Sequence, residues 1–268
     1  MNILPLSGCD LHYADTGGDG LPVVLTHGAG ADHVMFDAQR DHLRALGHRV
    51  VTWDLRGHGR SRPAGGPFTA ERALADLDAL IGHLKLHRPV LAGQSLGGNL
   101  SQTLVRRHPT RHRGLIVIGS AWNAGPLSRG DRLLLRAATP VLSLVPAARL
   151  PAMMADASAT TESARADARR AFSRLSKREF LEVWRATLDL LDPDPGYRTP
   201  VPLCLIRGEH DRTGNIATAM PRWAAAEGVT EVVVPGAGHI ANQDAPGPVN
   251  AAIDAFLATL PASEEEPA

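Results

Sequence analysis

The chain has 268 residues, 44% hydrophobic and 21% charged, which suits one large globular α/β domain with room for an insertion. Its 28 Lys and Arg balance 28 Asp and Glu with no basic block, arguing against nucleic acid or an anionic membrane as partner. Cys9 and Cys204 make no disulfide framework, so a reduced cytoplasm is expected. The opening Met1-Asn-Ile-Leu-Pro-Leu lacks a charged segment with an apolar core, and no 18-residue apolar run follows, so neither export nor membrane spanning is expected. Lys85 and Lys177 are the only lysines, which makes a lysine nucleophile or Schiff base a poor candidate; the arginine bias suits a GC-rich bacterial genome.

Residues 2–15 read as two short strands around Ser7-Gly8, followed by a turn at Thr16–Gly20. Leu21–Thr26 is an apolar strand ending at His27-Gly28-Ala29-Gly30. Asp32 can cap the next helix, in which Phe36, Leu43 and Leu46 recur at helical spacing before Gly47 closes it. Arg49–Asp54 is another buried strand and runs into the glycine-rich loop Leu55–Ser61. Thr69 caps a helix with Leu74, Leu77, Leu80 and Ile81 on one face.

The apolar run Pro89–Ala92 then leads into Gly93-Gln94-Ser95-Leu96-Gly97, and a helix-competent stretch, Asn99–Arg107, follows. Gly-x-Ser-x-Gly alone is a weak signal, but between a strand and a helix it places a serine on a sharp turn. Glycine at 93 and 97 lets strand and helix approach closely, and the Leu96 amide opens the helix, where a developing anion is stabilised. Gly114–Gly119 is the next strand. Alternating strands and amphipathic helices predict a mostly parallel sheet covered on both faces.

Between Asn123 and Thr199 the alternation stops. Leu133–Leu144, Glu162–Leu175 and Arg178–Leu191 read as helices, with prolines 140, 146 and 151 breaking the first region. Leu133, Leu134, Leu135, Met153 and Met154 give this insertion more apolar surface than a surface helix needs. The sheet resumes at Val201–Arg207 and ends in Gly208-Glu209-His210-Asp211. A helix near Ala217–Glu227, a strand at Thr230–Val234, a loop ending in His239 and a last helix at Val249–Leu260 complete it. Ser263–Ala268 reads as a frayed charged tail.

Ser95, Asp211 and His239 thus fall, in that order, after the ends of strands, where open α/β sheets bind ligands. A serine hydroxyl needs a base to take its proton. Imidazole titrates near working pH and needs a carboxylate to hold its tautomer and its charge. Glu209 competes with Asp211 for the acid role. His27 and His58, among 12 histidines, read as braces for their loops, and Asp244 as the cap of the last helix. No His-x-His or His-Glu-x-x-His spacing indicates a metal, and no phosphate-cradling or dinucleotide loop is present, so no cofactor is expected.

His27–Gly30, Asp54–Ser61, Gly93–Gly98, Gly208–Asp211 and Gly238-His239 with Asp244-Ala-Pro246 together resemble the α/β-hydrolase fold superfamily over nearly the whole chain. The resemblance implies an α/β core with a mostly parallel central sheet flanked by helices, built from 1–122 and 200–268, and a helical cap at 123–199. It implies Ser95 as nucleophile, Asp211 as acid, His239 as base, and an oxyanion hole from the amides of Ala29 and Leu96. The region after the strand at 114–119, where some relatives carry the acid, holds Ala121-Trp122-Asn123 and favours Asp211. Phe36 stands where many relatives have Trp.

The leading expectation is a cofactor-free serine hydrolase acting on a small carboxylic ester, lactone or related acyl compound. A perhydrolase or cofactor-free haloperoxidase, a carbon–carbon bond hydrolase, and a ligand-binding receptor with vestigial turnover are the alternatives. A turnover assay separates the receptor from the enzymes. The substrate and the oligomeric state are not legible in the chain.

Overall fold

Eight short strands form one sheet in the order β1-β2-β4-β3-β5-β6-β7-β8. The computed structural model describes residues 1–261; residues 262–268, with the tail expected to fray, lie outside the described residues, as do the side chains of Leu134 and Arg136. β1 (Asn2–Leu6) and β2 (Cys9–Asp15) are antiparallel, and β2 runs antiparallel to β4 (Arg49–Trp53). From β4 onward every pairing is parallel, through β3 (Pro22–Thr26), β5 (Val90–Gln94), β6 (Gly114–Ile118), β7 (Leu203–Gly208) and β8 (Glu231–Val234). Val24, Leu25, Val51, Ala92, Val117 and Leu205 are fully buried, as strands covered on both faces require.

Helices α1 (Asp37–Ala45), α2 (Ala70–His83), α3 (Leu96–Arg107), α8 (Ile216–Glu227) and α10 (Pro246–Leu257) supply the cover, the last preceded by the one-turn α9 (Ala241–Asp244). α2 shows how the sequence builds one. Thr69 accepts a hydrogen bond from the Arg72 amide as N-cap, and Leu74, Leu77, Leu80 and Ile81 bury the face its periodicity predicts. Burying each such side chain stabilises the fold by about 1.5–3 kcal/mol. Asp32 caps a short 3-10 turn, His33–Phe36, that leads into α1; Leu46 lies just past the end of α1 and is 55% exposed, outside the expected apolar stripe.

Between β6 and β7 come four helices: α4 (Arg129–Leu144), α5 (Leu150–Ser158), α6 (Glu162–Phe172) and α7 (Lys177–Asp189). The prolines act differently from expectation. Pro140 lies inside α4, which forgoes one intrahelical bond there. Pro151 lies in the first turn of α5, where a missing N–H has no partner to lose, so α5 forms where a break is predicted.

The chain leaves β3 toward β4 on one side, whereas β5 pairs on the other side of β3. This reversal opens a crevice beyond the carboxyl ends of β3 and β5, the position at which parallel sheets accept ligands. The His27–Gly30 loop and Ser95 both leave the sheet there.

Candidate active site

Ser95 sits between β5 and α3 with φ 51° and ψ −117°, a left-handed conformation that costs a non-glycine residue about 1–3 kcal/mol. Its surroundings hold it there. The Ser95 amide donates to the Ile118 carbonyl at 3.0 Å, and the Ser95 carbonyl accepts from the Asn99 amide and the Ser120 hydroxyl at 3.0 and 2.8 Å. A Cβ at Gly93 would overlap the Gly97 backbone, and one at Gly97 would overlap the Thr26 carbonyl. The turn therefore admits no side chain at either position, as the spacing predicts.

Asp211 follows β7 and His239 follows β8, and the structure brings them together. His239 Nδ1 lies 2.9 Å from Asp211 Oδ2, with both residues buried, and Asp211 Oδ1 accepts from the Thr213 amide. These partners place the Nδ1 proton toward the carboxylate. Burial alone would raise the Asp211 carboxyl, but the adjacent His239, by charge and hydrogen bond, and the Thr213 amide outweigh it and hold Asp211 below the usual carboxylate range. Glu209 is elsewhere: its carboxylate accepts from the Gly236 amide.

Ser95, His239 and Ala29 line one cavity of about 530 Å³. Its other wall comes from the helices between β6 and β7, through Met154 of α5, Phe172 of α6, and Phe180 and Trp184 of α7. Met153, named with Met154 as surplus apolar surface, is 39% exposed and does not line it.

The loop after β3 is fixed by buried, neutral imidazoles. His27 Nδ1 donates to the Gly28 carbonyl and its Nε2 accepts from the Leu55 amide. His58 Nδ1 donates to the Arg56 carbonyl and its Nε2 accepts from the Gly30 amide. Burial lowers both from the usual value, His58 to about 3, and for His58 the His27 ring 5.2 Å away adds to the effect. Because His58 takes the Gly30 amide and the Gly28 carbonyl takes that of Ala31, Ala29 keeps the one N–H of these three without a protein acceptor among the described residues. The Leu96 amide opens α3, where no preceding turn can accept it. Two amides suited to bind an anion thus flank Ser95.

Some contributors are invisible in the local pattern. Asp244 does not cap the last helix as expected: α10 begins after Ala245 with no side-chain cap. The Asp244 carboxylate instead accepts from the amides of Gly238, Thr160 and Thr161 and from the Thr161 hydroxyl, tying the His239 loop to the α5–α6 turn. The Ile240 amide donates to the Ser158 carbonyl, and Gln94 Nε2 donates to the His239 carbonyl, both across the site. Asp32 forms a bidentate pair with Arg170 of α6 at 2.7 and 2.9 Å, joining the loop after β3 to the same group of helices. Among the described residues, no group of three or more His, Cys, Asp or Glu side chains converges as a metal site.

Comparisons with known proteins bear on the family and the fold. The model of a family described as "Alpha/beta hydrolase family" matches residues 23–252. The chain is 36% identical over 101 residues to a non-heme haloperoxidase of Rhodococcus erythropolis, covering 38% of this chain and 36% of that protein. Its matches to curated relatives span less than half of their length. Among solved structures, a thermophilic esterase from Thermogutta terrifontis is similar at 27% identity and TM-score 0.78, over 96% of this chain and 98% of that one. An enol-lactonase from Burkholderia xenovorans LB400 is similar at 25% identity and TM-score 0.79, over 96% of this chain and 100% of that one.

Proposed function

The chain belongs to the alpha/beta hydrolase family, and we propose that it is a serine hydrolase cleaving a small carboxylic ester, lactone or related acyl substrate through an acyl-enzyme. The observation that carries this reading is the buried His239–Asp211 pair beside a cavity that also presents the strained Ser95. Esterase and lactonase neighbours over the whole chain support it.

In this mechanism Ser95 Oγ attacks the acyl carbonyl while His239 Nε2 takes its proton. Asp211 keeps the Nδ1 proton in place and stabilises the imidazolium without becoming protonated. The carbonyl oxygen becomes an oxyanion between the amides of Ala29 and Leu96, both already free to donate. Collapse expels the alkoxide, which His239 protonates. Water, activated by the same imidazole, then releases the acid and restores Ser95. Residues 123–199 act as a cap over a core of 1–122 and 200–268, and set which acyl groups fit.

Covalent labelling tests the reading. A fluorophosphonate probe should modify one residue per chain, in the peptide containing Ser95. Undiminished labelling of Ser95→Ala would remove Ser95 from the mechanism. The Rhodococcus relative supports a second reading, in which peroxide replaces water at the same serine. Bromination dependent on added peroxide and a carboxylic acid, exceeding ester hydrolysis in rate, would favour it.

A further inference from the structure

The lining of the cavity that holds Met154, Phe172 and Phe180 is not neutral. Arg165 of α6 and Arg212, which follows β7, both line it. Arg165 is half-buried and its Nε donates to the Ala159 carbonyl at 3.0 Å, which fixes one edge of the guanidinium. Its Nη1 and Nη2 have no protein acceptor, and Arg212 has no ion pair, among the described residues. The carboxylate among the lining residues, Asp156, faces Arg169 at 3.6 Å. His239 is balanced by Asp211. Two cations, half-buried Arg165 and exposed Arg212, therefore border a partly apolar cavity with no protein anion paired to them among the described residues.

Arg165, half-buried beside apolar walls, is poorly solvated unless a counter-charge arrives, whereas Arg212 is exposed and keeps its hydration while adding a second positive charge to the lining. We propose that the counter-charge is a carboxylate on the substrate itself, bound by Arg165 and Arg212, so that the preferred substrate is a hemiester of a dicarboxylic acid or a lactone bearing a free carboxylate. The inference rests on Ser95 being the nucleophile. In the transition state the substrate carboxylate stays with the two guanidinium groups, while the developing oxyanion is held by the amides of Ala29 and Leu96 and the imidazolium by Asp211. Water adds across the acyl–oxygen bond: the acyl carbon gains hydroxyl and becomes a second carboxylate, the alkoxide leaves as the alcohol, and one proton is released to solvent. Planar guanidinium groups suit a planar carboxylate, to which they donate two parallel hydrogen bonds.

The test compares the mono-4-nitrophenyl ester of glutaric acid with its uncharged methyl-ester counterpart on the full-length protein. The ratio of kcat/KM, charged over neutral, should be about tenfold or more, and should fall about tenfold in Arg165→Gln and in Arg212→Gln. Arg165→Lys, which keeps the charge, should recover part of it, and 0.5 M salt should lower the wild-type ratio. Calorimetry with glutarate on Ser95→Ala reads the same site without turnover, and binding should vanish when Arg165→Gln and Arg212→Gln are added. A ratio at or below one, with Ser95 still labelled by fluorophosphonate, overturns the anionic substrate and leaves the nucleophile standing. Glutarate binding that depends on both arginines in a protein whose Ser95 resists labelling would instead support the anion site and remove the nucleophile. Absence of glutarate binding to Ser95→Ala overturns the anion site whatever the labelling shows.

Discussion

Replacing Asp211 by Asn tests the acid role at the atom where it acts. In the wild type, Oδ2 sits 2.9 Å from His239 Nδ1, and the two residues are 2% and 7% exposed, so solvent screens the pair little. In the proposed mechanism His239 takes the Ser95 proton, and an imidazolium forms beside that carboxylate. At 2.9 Å and an effective dielectric of about 20, the attraction is about 6 kcal/mol. Asn removes the charge, and its amide can donate to Nδ1 and favour the wrong tautomer. The serine-protease precedent for this substitution is a loss of about 10⁴ in kcat, or about 5 kcal/mol, which matches the Coulomb figure. The assay is kcat on a soluble 4-nitrophenyl ester, with circular dichroism and thermal melting to show that Asp211→Asn remains folded. Glu209→Gln, which loses only the contact with the Gly236 amide, should stay within about twofold. A folded Asp211→Asn retaining a tenth of wild-type kcat, or a larger loss in Glu209→Gln, would refute the assignment.

The remaining predictions concern the helices that complete the cavity. Met154 lines it and Met153 does not, so Met154→Ala should shift the relative kcat/KM for short and long acyl chains by roughly tenfold, at about 1–3 kcal/mol per methylene lost from an apolar pocket. Met153→Ala should leave that ranking unchanged; identical behaviour of the two would place specificity in the sheet loops. Burial would raise the Asp32 carboxyl, but the Arg170 hydrogen bonds and charge outweigh it and hold it below the usual value. The pair's contribution is therefore complete above the ordinary carboxylate pKa near ~4 and is lost as pH falls through the depressed folded value. Asp32→Asn should lower Tm at pH 6, with the gap to wild type closing in strong acid; a gap constant down to pH 2 would mean the pair contributes nothing through its charge.

How much of this was legible in the chain depended on distance along it. The mostly parallel, covered sheet follows from alternation of apolar runs with amphipathic helices, each a signal contained in about fifteen residues. The elbow is similarly local: the glycines at 93 and 97 are demanded by contacts of Ser95's own turn with its neighbours. α5 was obscured because Pro146 and Pro151 read as breaks, although a proline in a first turn costs a helix nothing. Leu46 fits the helical period of its neighbours, yet the helix ends one residue earlier and leaves it exposed.

The site divides along the same line. Ser95, Asp211 and His239 could be named because each ends or follows a strand, and the parallel sheet places such ends on one edge. Asp244 could not, because its partners at 160 and 161 lie more than eighty residues away and no local rule distinguishes a carboxylate that bridges two loops from one that caps a helix. The difference has a physical consequence. Ser95 and Asp211 stand within three residues of strand ends fixed by the sheet, whereas the loop carrying His239 is held by Asp244, Gln94 and the Ser158 carbonyl, each a contact from a different segment. Two of those contacts, through Asp244 and Ser158, reach the helices between β6 and β7. The imidazole's position is thus coupled to the same helices that shape the acyl pocket, so a change in how they pack should alter proton transfer as well as substrate fit.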